Sequence, residues 1–84
     1  MHYVYVLHTE VDGHFYTGCT GDLRKRFQQH NEGKVLSTRD RRPLKLIYYE
    51  ACLSADDAFR REKYLKTSYG KRYLKSRLRC YFTG

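Results

Sequence analysis

The chain has no tryptophan, one proline and one methionine, and its three cysteines are few and scattered. Cys19, Cys52 and Cys80 form no CxxC pair, which argues against a disulfide framework and a thiolate zinc site and fits a reducing, cytoplasmic setting. No stretch approaches the roughly 18 apolar residues of a membrane span. The opening MHYVYVLHTE also lacks a basic flank followed by a long apolar run. Neither a membrane nor an export role is expected. Acidic charge is scarce too: nine Asp and Glu stand against seventeen Lys and Arg, a formal net charge of +8 on 84 residues. An excess of that size on a short chain is a long-range field for polyanions, and a domain with pI above about 9 carries the usual footprint of a nucleic-acid binder. The length allows one domain over residues 1–84 with a modest core, and no room for a second domain or a large cofactor cleft.

What is present is tyrosine and valine in strand-like company. "HYVYVLH" and "HFYTGCT" suit a pleated, half-buried surface, and Glu10-Val11-Asp12-Gly13 between them holds an Asp-Gly turn signal, so an antiparallel hairpin is expected. Asp22 reads as an N-cap; Leu23, Phe27 and His30 follow at helical spacing, and Asn31-Glu32-Gly33 supplies a stop, giving a helix over 22–32. Lys34 to Pro43 has no periodicity and reads as a basic loop carrying Arg39, Arg41 and Arg42 beside Ser37 and Thr38. "LKLIYYEAC" reads as a third strand. Ser54, Asp56 and Asp57 mark a capped helix start, and this second helix is expected over about 55–67 with Gly70 breaking it. "KRYLKSRLRCYF" then gives Tyr73, Leu74, Leu78 and Tyr81 the spacing of one short, very basic third helix. The economical arrangement is α+β: a small three-stranded sheet, mixed or antiparallel, flanked by about three helices.

The second helix carries the sharpest chemical signal. Ala55, Ala58, Phe59, Glu62, Leu65 and Lys66 mark one face at i, i+3, i+4 and i+7, which sets Glu62 within an apolar stripe. A carboxylate drawn out of water there needs a cation, an arginine or hydrogen-bond donors, so it is either a site residue or half of a structural pair with a nearby Arg or Lys. Arg26 and His30, one turn apart, share the helix face that also shows Leu23 and Phe27. Tyr5 and Tyr16 lie in the hairpin strands, where tyrosine is common and usually contributes packing with its hydroxyl at the surface.

In order along the chain these residues resemble the GIY-YIG nuclease superfamily, most closely its small bacterial single-domain members. Tyr3-Val4-Tyr5 and Tyr16-Thr17-Gly18 match the two strand motifs, with Tyr3 in place of the first motif's Gly, Val4 of its Ile and Thr17 of the second motif's Ile. The middle block is more specific, with Tyr16, Gly18, Thr20, Leu23, Arg26, His30, Asn31 and Gly33 in register, and Ala58, Glu62 and Lys66 complete it. The resemblance implies that Glu62 is the ligand of a divalent metal, Mg²⁺ or Mn²⁺. It further implies that Arg26 faces the scissile phosphate and that Tyr5, Tyr16 and His30 surround the attacking water. Leu74 stands near where several family nucleases have an asparagine. The expected activity is endonucleolytic hydrolysis of DNA, in preference to RNA, with little sequence choice of its own. Arg39, Arg41, Arg42, Lys66, Lys71, Arg72 and Lys75 are expected to hold phosphates. Target choice would then fall to a protein partner. The competing expectations are a catalytically silent nucleic-acid-binding module of the same fold and a domain that docks an acidic protein.

Overall fold

The computed structural model describes residues 1–84, and the elements follow in the order β1 (His2–Thr9), β2 (Phe15–Thr20), α1 (Leu23–Asn31), β3 (Leu44–Cys52), α2 (Ala55–Leu65), α3 (Ser68–Arg77) and α4 (Arg79–Thr83). The sheet is antiparallel throughout, in the order β2-β1-β3, with Tyr5 opposite Gly18 on one side and Tyr49 on the other. Its central strand explains the run VYVL. Val4 and Val6 point to one face, Tyr5 and Leu7 to the other, and all four are buried because helices cover both sides. α2 and α3 cover the valine face with Ala58, Leu65 and Leu74. α1 covers the tyrosine face with Leu23 and Phe27, beside Leu44, Leu46 and Tyr16.

Local signals account for much of this. Asp12 accepts from the His14 amide at 3.0 Å in the hairpin turn, and Gly13 supplies the positive φ of 72°. Asp22 accepts from the Lys25 amide at 3.1 Å, the capping bond that starts α1.

Four expectations need correction. Ser54 precedes α2 but its side chain makes no capping bond; only its carbonyl accepts from Ala58. The second helix stops at Leu65, and Gly70 does not break it: Gly70 lies in the first turn of α3, which Thr67 caps by accepting from the Gly70 amide at 3.1 Å. A Cβ at Gly70 would collide with the Tyr64 carbonyl and the Leu65 backbone, so this glycine lets α3 cross tightly over the end of α2. The third helix is two, α3 and α4, parted at Leu78. Phe59, placed on the inward stripe by spacing, is 55% exposed. The basic loop also has form of its own: a 3-10 turn at Arg39–Arg41, with Val35 and Thr38 buried beneath it.

Candidate active site

β2 is an edge strand, and polar groups gather on both of its faces. On the α1 face, antiparallel pairing sets Tyr5 directly opposite Gly18. The Tyr5 ring fills the space above that glycine so closely that a Cβ there would lie 2.6 Å from the phenol oxygen. Gly18 is thus a seat for Tyr5. From that seat the Tyr5 hydroxyl meets His30 Nε2 at 2.9 Å, and His30 Nδ1 meets Thr38 Oγ1 at 2.7 Å. Tyr5, His30 and Thr38 are all buried. They form one satisfied chain of hydrogen bonds from sheet to helix to loop. Tyr16 packs edge-on to His30, with ring centroids 5.1 Å apart. The Arg26 guanidinium donates to Gln29 Oε1 at 3.4 Å and lies near enough to Tyr5 and Tyr16 for its charge to act on both.

Burial sets the protonation of this group. Removed from water and next to the Arg26 charge, His30 is pushed down to about 4 and is a neutral imidazole near neutral pH. Burial raises the Tyr5 pKa as well, and the neighbouring Arg26 offsets only part of that rise. Tyr5 is therefore a phenol, not a phenolate poised to take a proton. Arg26 is held firmly cationic, first by Tyr5.

Glu62 approaches the same strand from the opposite face. Cys19, paired with Val4, points to the α2 side, donates its thiol proton to the Ala58 carbonyl at 3.3 Å and also faces the Glu62 carboxylate. Lys66 Nζ lies 2.6 Å from Glu62 Oε2. Burial acts to raise the Glu62 pKa, but the Lys66 ammonium bonded to it and the neighbouring Cys19 thiol outweigh burial and hold the carboxyl below its ordinary value. Burial, with Glu62 adding to it, pushes the Cys19 thiol up to about 12, so it is a donor and not a nucleophile. No hydrogen bond joins Glu62 to the tyrosines or His30, although its charge is felt at Tyr5. The sequence-predicted cluster is thus split into two halves across β2.

The donor set sets terms for a metal. No three His, Cys, Asp or Glu side chains converge, so no all-protein cage exists. One ionised, half-buried carboxylate does exist, and Mg²⁺ accepts one or two carboxylates when waters and substrate phosphates fill the remaining positions. Glu62 fits that mode.

The predicted phosphate grips divide as well. Lys66 and Lys71 line a cleft with Tyr16 and Thr17 along β2, and Lys71, Lys75 and Arg41 line a further hollow of ≈ 440 Å³ by the hairpin turn. Arg39 is exposed on the 3-10 turn and lines neither of these. Arg42 instead donates to the carbonyls of Arg39 at 2.9 Å and Asn31 at 3.3 Å, tying the loop to the end of α1. Arg72 lies over the Tyr69 ring at 4.8 Å. Leu74 is fully buried between α2 and the sheet and serves the core. Sequence reasoning missed Thr38, Cys19 and Lys25; Lys25 shares with Arg26 the cleft of ≈ 500 Å³ at the other end of β2.

An antiparallel sheet whose edge strand joins a tyrosine–histidine–arginine group to a lone carboxylate defines a small α+β domain of the GIY-YIG type. Residues 1–78 match the model of the GIY-YIG catalytic domain, and the chain belongs to that family, whose general activity is nucleic-acid cleavage. Among curated proteins it is similar to the UPF0213 protein of Bacillus pumilus, 45% identical over 67 residues that make up 79% of this chain and 67% of the relative. It is likewise similar to a UPF0213 protein of Staphylococcus haemolyticus, 40% identical over 75 residues, 88% of this chain and 90% of the relative. Among solved structures, the solution NMR structure of a UPF0213 protein from Bacillus halodurans matches with a TM-score of 0.57 and 38% identity, over 89% of this chain and 82% of that one.

Proposed function

We propose that residues 1–84 act as one metal-dependent endonuclease domain that hydrolyses phosphodiester bonds in DNA, with little sequence preference, in the cytoplasm. The observation that carries this reading is the placement, on the two faces of one edge strand, of the buried Tyr5–His30 pair with Tyr16 packed against it and Arg26 nearby, and of the Glu62 carboxylate with Lys66. Hydrolysis must aim a water in line with the leaving oxygen and neutralise charge growing on the phosphate. Arg26 supplies a fixed cation for that charge. Tyr16 lines the cleft that Lys66 also lines, whereas Tyr5 is buried, so in this reading the Tyr16 hydroxyl orients the attacking water. Tyr5 and His30, buried and hydrogen-bonded to one another, position Arg26 and Tyr16 from behind. Mg²⁺ or Mn²⁺ on Glu62 would supply stabilisation of the leaving 3′-oxygen. Lys66, Lys71, Lys75 and Arg41 extend a cationic path along β2, which suits a phosphate backbone read without regard to base. No helix of the chain is long and apolar enough to cross a membrane. A protein partner would supply target choice.

One observation favours a silent binding module instead: Glu62 already has a cation in Lys66 and needs no metal to be satisfied. Plasmid, branched DNA and RNA incubated with the protein and Mg²⁺, Mn²⁺ or EDTA separate the two. Cleavage of DNA that EDTA stops, and that falls about a hundredfold or more in Glu62→Gln and Tyr16→Phe while duplex binding persists, is expected. Undiminished cutting by both variants would remove the site assignment, and binding without cutting in any metal would establish the silent module.

A further inference from the structure

Lys66 stands on the one carboxylate that the proposed reaction assigns to a divalent cation, and the geometry of the pair is uneven. The Glu62 side chain is 19% exposed and that of Lys66 54%. The anion is fixed at the foot of the β2 edge, whereas the ammonium is the free end of a flexible chain rooted at the C-cap of α2. The ammonium end of the pair is open to water, so this cation can leave the carboxylate without disturbing the packing around it. Lys66 also lines the cleft shared by Tyr16 and Lys71, so a phosphate lying in that cleft offers the ammonium a second anion. The other neighbour of the carboxylate, the Cys19 side chain, donates to the Ala58 carbonyl at 3.3 Å and brings no second cation. Glu62 cannot give its full charge to an ammonium and a divalent cation together, and two cations crowded at one carboxylate repel one another.

We propose that Lys66 is a placeholder cation: it occupies Glu62 in the free protein and moves onto the nucleic-acid backbone when substrate enters, so that metal loading is coupled to substrate binding. This rests on the reading of Glu62 as the metal ligand. It gives Lys66 two successive anionic partners and makes it a positioning residue for the metal site. Because coupling between two ligands is reciprocal, the metal tightens nucleic-acid binding by the same factor.

The test is a Mn²⁺ titration in which free Mn²⁺ is read from its paramagnetic resonance signal, with and without a phosphorothioate duplex that resists hydrolysis. Parent, Lys66→Met, Lys66→Gln, Lys66→Arg and Glu62→Gln are compared, each first checked for a cooperative thermal transition. Without duplex, both neutral Lys66 variants should bind Mn²⁺ about threefold or more tightly than the parent, and Lys66→Arg should stay near it. The gain in Mn²⁺ affinity that duplex confers on the parent should shrink in the neutral variants. Glu62→Gln should lose the site throughout. If the neutral variants bind Mn²⁺ no more tightly than the parent while Glu62→Gln still abolishes binding, the placeholder is overturned and the nuclease reading stands. If Glu62→Gln leaves Mn²⁺ binding intact, both fall.

Discussion

A histidine buried without a carboxylate partner makes stability depend on pH in a direction that can be worked out. The unfolded chain protonates His30 near the ordinary 6.5, whereas the folded chain resists protonation until about 4. Between those values the unfolded state holds the extra proton, so stability is complete above about pH 6.5, falls as pH drops toward 4 and changes no further through this residue below that. The contribution is on the order of 3 kcal/mol. Chemical denaturation of parent and His30→Gln at about pH 7 and about pH 4.5 should show a larger acid loss in the parent, with the carboxylate contributions cancelling in the comparison. Equal losses would mean that His30 is protonated in the fold. The spacing put His30 on the helix face of Leu23 and Phe27, but by itself suited a solvated boundary position as well as the fully buried one it takes. The groups that keep it neutral were not legible. Thr38 lies in a segment with no periodicity, and its burial depends on the loop folding back over α1.

At the scale of elements, the close crossing of α2 and α3 sets two effects against each other at Gly70. An alanine within a helix gains about 1 kcal/mol over glycine in propensity. Here its Cβ would meet the Tyr64 carbonyl and Leu65 Cα, which are backbone atoms and cannot rotate away. Overpacking of that kind costs typically about 1–3 kcal/mol, and because the whole of α3 must move, the cost wins. Gly70→Ala should lower the denaturation midpoint, while Gly21→Ala, whose Cβ would meet nothing within 4 Å, should leave it unchanged or raise it. A stabilised Gly70→Ala would mean that the helices do not cross this closely. The same crossing explains what the sequence could and could not disclose. β1, β2 and α1 were readable because their signals are local: alternation, an Asp-Gly turn, an aspartate cap. Gly70 looked like a breaker because its purpose is tertiary, a close approach to the preceding helix that no window along α3 contains. Phe59 fits the spacing of the α2 stripe yet faces outward, since the sheet beneath is narrow and Ala58 and Leu65 already meet Val4 and Val6. Glu62 was legible as a charge on that stripe. Its neighbour Cys19 depends on the strand register, which the pairing of Val4 with Cys19 fixes across the sheet.

For the molecule as a whole, the net charge of +8 is less informative than its placement. Counting lysines and arginines along the chain makes every one of them a candidate phosphate grip, but only side chains along the edge of β2 can touch a strand that also reaches Tyr16 and Arg26. Lys66, Lys71 and Lys75 lie there, and so does Arg41, although its guanidinium also donates to Asp12 at 3.3 Å. Arg42 is spent on carbonyls of its own loop and helix, and Arg72 lies over a tyrosine ring on the exposed side of α3. A uniform cationic surface and a directed track predict different salt behaviour. Every phosphate grip removed makes the slope of log affinity against log salt shallower by about 0.9. Replacing Lys71 and Lys75 with alanine should therefore reduce the slope for a random duplex by about 2, and weaken all sequences alike. Replacing Arg39 and Arg72 removes the same formal charge and should reduce it by well under about 1. Duplex affinity followed by fluorescence anisotropy across a salt series distinguishes the cases. Equal slopes for the two double variants would mean that the field is diffuse and that β2 does not mark the path of the nucleic acid.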